Sequence, residues 1–293
     1  MKKRISDYIR LLRPSHWVKN FFVFAPLIFS LNLLKIGEVI QNFLAFVSFC
    51  LAASGVYVFN DLHDKVSDIT HPVKKNRPIA SGRVSTVIAW PIFFMLIVSA
   101  LFLSFRIRVD VGGIILAYVI MNVLYTLYLK EVVIIDVMII AIGFILRIMA
   151  GSAATRVYLS NWMLLTTLSL SLFIGFAKRR HEIVSLGENA GDHRKVLSKY
   201  GERFVDEMIT TTVAMTIVFY SLYTIDPQVI RKFGTSHLVF TVPFVMYGLF
   251  RYVYLIYVKG KGGDPVEIVL KDIGIISSVV GWFASVVLLI YLK

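Results

Sequence analysis

Cysteine is almost missing. Cys50 is the single thiol in 293 residues and lies inside an apolar run, so no internal disulfide forms and no redox compartment is indicated. Charge is scarce as well: 17% of residues are charged against 57% hydrophobic, with mean hydropathy +0.75. A water-soluble chain of this length has nowhere to hide that much apolar surface. Acids are outnumbered, 18 Asp and Glu against 31 Lys and Arg. The resulting formal charge of +13 does not mark a nucleic-acid binder, because the basic residues are scattered between apolar runs and form no continuous patch. Also absent are a G-x-x-x-x-G-K-[ST] phosphate loop, a Cys/His zinc spacing and a G-x-S-x-G nucleophile turn. No cleavable leader is expected, since residues 1–20 are basic and amphipathic and the first apolar run holds Pro26 without a small-residue cleavage site.

What is present is a series of membrane-length apolar runs. Nine spans are expected, near residues 20–34, 39–59, 85–105, 110–129, 133–155, 161–177, 207–225, 238–257 and 272–292. The fold class is therefore all-α, a polytopic bundle of about nine transmembrane helices forming one domain over residues 1–293. Residues 1–14 read as an interfacial helix, with Ile5, Tyr8, Ile9 and Leu12 on one side and bases on the others. With the N-terminus inside, inner segments carry 22 Lys and Arg and outer segments 7. The positive-inside rule then places loops 60–83 and 178–206 in the cytoplasm, in a multi-pass protein of the plasma (inner) membrane. Oligomeric state is open, a homo-oligomer included.

The strongest chemical signal is Asn60-Asp61-Leu62-His63-Asp64-Lys65-Val66-Ser67-Asp68, which ends an apolar span. Continued as a helix at about 100° per residue, it puts Asp61, Asp64 and Asp68 within an arc of about 60° over roughly 10 Å. Three acids so close repel unless a cation joins them, and hard oxygen donors suit Mg²⁺ carrying a diphosphate. The bland alternative is a solvated helix end. Against it stand Lys74, Lys75, Arg77 and Arg83, which follow within fifteen residues on a Pro-containing loop suited to phosphate.

The second polar loop holds Lys178-Arg179-Arg180-His181-Glu182, then Glu188 and Asp192 at i, i+4. It reads either as a second Mg²⁺ ligand set with phosphate-binding cations or as a topology determinant. Inside the spans, Tyr118, Asn122 and Tyr125 form a polar stripe ending near Lys130, while Asp136 and Arg147 lie about 16 Å apart along one helix face, too far to pair. A helix cap for Asp136 and an interspan partner for Arg147 weigh evenly with site roles. His16, Trp17 and Lys19 fit a simple interfacial belt. His63, His71, His181 and His193 form no metal spacing.

These residues resemble the UbiA-type intramembrane prenyltransferase superfamily, whose N-D-x-x-D-x-x-x-D signature is met by Asn60, Asp61, Asp64 and Asp68, with R-P-x-x-S-G at 77–82. The chain is most similar to the branch of that superfamily that moves phosphoribose rather than a prenyl group. That likeness rests on 13–20 with 23–27, the His71-Pro72-x-Lys74 insertion, Asn122 with Tyr125 and Lys130, and 178–182. It implies phosphoribosyl diphosphate held through Mg²⁺ by Asp61, Asp64 and Asp68, its phosphates gripped by Lys74, Arg77 and Lys178, Arg179 and Arg180. It implies a polyprenyl phosphate acceptor in a lipid-facing groove, steered by Lys19 or Lys130, with Asn60, Asn122, Tyr125 and Arg147 as further substrate contacts. The second signature of the superfamily, an Asp-rich D-x-x-x-D, is matched only by Glu188-x-x-x-Asp192. A prenyltransferase with an aromatic acceptor uses the same acids, and a transporter expects charge deeper in the spans.

Overall fold

The computed structural model describes residues 2–31, 33–70, 73–187, 191, 195–260 and 265–291. Among them every regular element is helical. Seven helices are long and apolar enough to cross a membrane: Ile36–His63, Thr86–Ile107, Val109–Leu127, Ile135–Thr155, Glu202–Ile225, His237–Tyr257 and Ile273–Tyr291. The protein is an integral membrane protein. The chain divides into two compact units, Met1–Leu159 and Ser160–Lys293.

In the first unit, α1 (Lys2–Leu12) leads into a 3-10 segment (Pro14–Phe24) and a single turn, α2 (Ala25–Ile28). There follow α3 (Ile36–His63), α4 (Lys65–Thr70), α5 (Thr86–Ile107), α6 (Val109–Leu127) and α7 (Ile135–Thr155). Helix α3 is the spine, packing on α5, α6, α7 and the 3-10 segment. Its buried positions include several small residues, Ala45, Ala52, Ala53, Ser54 and Gly55. In lipid, where apolar surface gains little by leaving the solvent, such residues let backbones approach and pack. A side chain at Gly55 would collide with Ile97 of α5, 2.6 Å from an added Cβ.

The expected span at 20–34 is not a continuous α-helix. Residues 14–24 wind with three residues per turn, which lines up Trp17, Asn20 and Val23 in one row. Asn20 and Val23 are fully buried in that row, and Trp17 Nε1 donates to Ser54 of α3 at 3.1 Å. A 3.6-residue period would have turned these side chains progressively away. Helix α1 buries Leu11 against Val58, Ile79 and Val84, so it is packed on the unit through one side.

In the second unit α8 (Asn161–Leu186) runs past its apolar part, so Lys178 to Glu182 lie on a helix and not in the loop expected from residue 178. The charged end needs no bilayer to remain helical, and Arg179 Nη1 donates to Glu182 at 2.6 Å one turn on. Helix α8 is less apolar than its neighbours because Thr166, Thr167 and Ser169 occupy it, each hydroxyl donating to the carbonyl four residues back. The unit continues with α9 (Glu202–Ile225), α10 (Pro227–Phe233), α11 (Val242–Tyr257), α12 (Pro265–Lys271) and α13 (Ile273–Tyr291). Asp226 caps α10 through the amides of Gln228 and Val229 and accepts from Trp162 Nε1 at 2.8 Å. Asp272 takes Arg251 in a two-pronged pair at 3.1 and 3.0 Å and caps the start of α13 through the Ile275 amide.

Candidate active site

The acids lie where α3 ends. Asp64 is its C-cap (φ −86°, ψ 7°) and α4 begins at the next residue. The predicted continuous helix is therefore interrupted at Asp64. The stripe survives because the Asp64 amide still donates to Asn60 O (2.9 Å) and the Asp68 amide to Asp64 O (2.8 Å), keeping the helical spacing across the break.

Each carboxylate holds a cation. Asp61, 1% exposed, accepts from Arg13 Nη2 at 2.5 Å and Arg77 Nη1 at 3.1 Å, both on Oδ1. The same Arg77 nitrogen donates to Asp68 Oδ2 at 2.6 Å. Asp64 accepts from Lys130 Nζ at 2.5 Å, with His63 Nδ1 at 3.0 Å. Burial pushes the Asp64 carboxyl upward, but Lys130 and His63 outweigh it and hold the group below the usual carboxylate range. At Asp68 burial wins over Arg77 and raises it. Acids and bases thus balance locally, which is how charge persists at the end of a membrane helix.

Local sequence explains the aim of Arg77. Pro78 restricts it to extended backbone (φ −64°, ψ 146°). Ser81 returns both its amide and its hydroxyl to the Arg77 carbonyl, at 2.9 and 2.7 Å. Gly82 supplies the left-handed turn (φ +73°) and Ile79 is buried as the anchor. The motif R-P-x-x-S-G is thus a bracket that turns one guanidinium back onto two carboxylates.

Three carboxylates suit a hard divalent ion, and Asp61 Oδ2, buried without a hydrogen-bond partner among the described residues, fits the role of a metal ligand. No three acid, His or Cys side chains among the described residues converge into a closed metal cage. Arg77 stands between Asp61 and Asp68, and it must yield one of them for an ion to bridge the pair.

Other expected site residues fall in three places. Asn60 accepts from Thr126 at 3.4 Å, and Thr126 and Asn122 bond back along α6 toward Tyr118, so the polar stripe does reach the acid cluster. Tyr125 is half-buried on the same helix, and Lys74 is near enough to act on the charge of Asp68. Arg147 lies deeper, over the ring of Phe49, which is twelve residues or about 18 Å below Asp61 on α3. Lys178, Arg179 and Arg180 belong to the second unit and, as consecutive helical residues, point three ways. Arg179 is buried on Glu182, while Arg180 pairs with Asp206 (2.6 Å) and Glu202 (3.3 Å) over the Tyr257 ring. Glu188 and Asp192 lie outside the described residues, as do His71 and His193.

Three contacts escaped the sequence. Arg13 is not foreseeable as a partner of Asp61, 48 positions away, although its place just before Pro14 marked a helix end. His16 and Trp17 also reach α3. Tyr57 OH lies 3.2 Å from His16 Nδ1, and Trp17 reaches Ser54.

An all-helical membrane bundle with a cation-clamped acid cluster at a helix end frames an intramembrane transferase. A model of the UbiA prenyltransferase family matches residues 23–265. Decaprenyl-phosphate phosphoribosyltransferase of Corynebacterium glutamicum is 33% identical, aligned over 99% of this chain and 89% of that protein. The protein of the same name from Mycolicibacterium smegmatis is 29% identical over 99% and 94%. Among solved structures, a UbiA homolog from Archaeoglobus fulgidus bound to GPP and Mg2+ superposes with TM-score 0.71 at 17% identity, covering 96% of this chain and 99% of that one. The chain belongs to the UbiA prenyltransferase family, and it is a membrane transferase.

Proposed function

We propose that the protein transfers 5-phosphoribose from phosphoribosyl diphosphate to a polyprenyl phosphate of the decaprenyl type, with Mg²⁺, releasing diphosphate. The observation that carries this is likeness over 99% of the chain to relatives named for that transfer. The density of cations around the acids supports a donor with an extra phosphate: Arg13 and Arg77 contact the carboxylates directly and Lys74 stands beside them.

Asp61, Asp64 and Asp68 would hold the metal. Mg²⁺ supplies charge neutralisation for the departing diphosphate. Arg13 and Arg77 exchange carboxylate oxygens for phosphate oxygens as the donor arrives, a trade that guanidinium geometry favours. The acceptor phosphate oxygen forms a bond to C1 of the ribose while the C1–O bond to diphosphate breaks and its electron pair leaves with diphosphate. The charge that grows at C1 is oxocarbenium-like, as in other glycosyl transfers. The acceptor is already ionised, so no strong base is required. Lys130 and Lys19 steer that anion, and Asn60, Asn122 and Tyr125 line the approach along α6. Glu188 and Asp192 are the candidates for a second ion, and Lys178 is the candidate cation of the second unit. The excess of Lys and Arg on inner segments, 22 against 7, supports a cytoplasmic site in the plasma membrane.

The test is diphosphate release by the purified protein in lipid nanodiscs with Mg²⁺. Release from phosphoribosyl diphosphate only in the presence of polyprenyl phosphate supports the reading. Release only from a prenyl diphosphate with an aromatic acid rejects it in favour of prenyl transfer.

A further inference from the structure

Arg147 is 6% exposed within a membrane helix, and it has no carboxylate partner among the described residues. Its guanidinium donates to three neutral oxygens: Asn20 Oδ1 at 2.7 Å, Gly143 O at 2.6 Å and Tyr118 OH at 3.2 Å. The rings of Phe49, Tyr118 and Phe144 surround it at 5.4, 5.0 and 5.4 Å. A cation at that depth is costly, which points to a role for it. Enclosed on every side by protein, Arg147 acts through what it holds.

What it holds is the 3-10 segment. Asn20 is used at both ends of its amide, accepting from Arg147 and donating to Cys50 Sγ at 3.2 Å. From there the segment climbs α3 by successive rungs: Asn20 on Cys50, Trp17 on Ser54, His16 beside Tyr57 and Arg13 on Asp61. Its lower end is wedged, because Val23 O approaches α7 so closely that a Cβ at Gly151 would lie 1.9 Å from it. An eleven-residue 3-10 run has poor internal hydrogen bonding and is uncommon at that length, so the rungs hold it in place. Arg13 ends it in a left-handed conformation (φ +50°), a strained state that persists when neighbours over-determine it.

We propose that Arg147 and Asn20 are positioning residues: they set the register of the 3-10 segment on α3 and thereby deliver the Arg13 guanidinium to the acid cluster. The segment rises about 2 Å per residue, so the anchor lies roughly 14 Å from the group it places. The inference rests on the reading of Arg13 as a ligand of the donor diphosphate.

The experiment is a double-mutant cycle on the full chain in nanodiscs, with KM measured separately for phosphoribosyl diphosphate and polyprenyl phosphate. Asn20→Ala raises the donor KM about tenfold, the effect of losing one charge-assisted contact, and leaves the acceptor KM within about twofold. Arg13→Ala raises the donor KM at least as much, and Arg13→Ala with Asn20→Ala is no worse than Arg13→Ala alone by more than about twofold. Asn20→Asp, which keeps an acceptor for Arg147, restores the donor KM to within about threefold of wild type. If Asn20→Ala does not fold, Arg147→Lys, which keeps the charge and loses the fork, takes its place in the cycle with the same expectation. Multiplying fold-changes in the double variant, or an unchanged donor KM in Asn20→Ala, overturns the proposal. An unchanged donor KM in Arg13→Ala alone instead overturns the donor-binding reading of Arg13.

Discussion

Asp64→Asn separates the chemistry of the acid cluster from its structural role. The side chain is 19% exposed and caps α3 with its backbone, so the nearly isosteric amide keeps the helix end and removes one charge. Its partners Lys130 and His63 are themselves partly exposed, at 21% and 39%, and can turn to water. The stability cost is therefore that of a partly solvated pair, about 1 kcal/mol, and the melting temperature falls by only a few degrees. Activity suffers far more. Losing a ligand that acts on charge developing in the transition state costs on the order of 10²-fold in kcat, about 2.7 kcal/mol, with a higher Mg²⁺ requirement. Diphosphate release under Mg²⁺ titration, beside a thermal melt of the same sample, reads both quantities. The wild-type carboxyl is held below its usual range, so its stabilising effect is present at neutral pH. That effect is lost only as pH falls through about 3.9 and toward the lower folded value. The melting gap between wild type and variant therefore persists down to about pH 5. Turnover within about threefold of wild type and an unshifted Mg²⁺ titration would refute a metal role for Asp64.

Arg77→Ala frees both Asp61 and Asp68 from their shared guanidinium and removes a diphosphate contact, so the donor KM rises about tenfold or more while the acceptor KM holds; equal change in both constants contradicts the assignment. Chelation of divalent ions abolishes release and added Mg²⁺ restores it; full activity in excess chelator excludes metal dependence. Gly151→Ala forces a methyl onto the Val23 carbonyl, 1.9 Å away, and lowers stability by about 1–3 kcal/mol by overpacking, read as a lower melting temperature. Asp272→Ala removes a helix cap, worth about 1 kcal/mol, and with it the Arg251 pair, so the melting temperature at neutral pH falls. Because Arg251 holds Asp272 below the usual carboxylate range, that loss fades as pH falls through the lowered value, and a pH-independent gap counts against the pair.

The acid stripe was legible because helical spacing is local: residues three and four apart share a face whatever lies around them, and the break at Asp64 preserved that spacing. Arg77 was legible for a similar reason, since Pro78, Ser81 and Gly82 build its turn within six residues. Arg13 was not, because a contact across 48 positions exists only after α1 packs through Leu11 onto Val58 and Ile79. The basic run at 178–180 was legible as a cluster but not in its directions. Adjacent in sequence, its members diverge by about 100° each on α8, so Arg179 turns inward to Glu182 and Arg180 toward Asp206.

Composition and the length of the apolar runs settled that this chain lives in a membrane as a helical bundle, since hydrocarbon tolerates no unpaired backbone and runs of about 20 apolar residues fit spanning helices. Tertiary packing alone decided that residues 14–24 wind as a 3-10 strap and that Arg147 grips it, because neither the tighter period nor an interspan hydrogen bond leaves a mark in local sequence. Which cations meet which acids is likewise a property of packed helices, where a shift of one turn exchanges every partner.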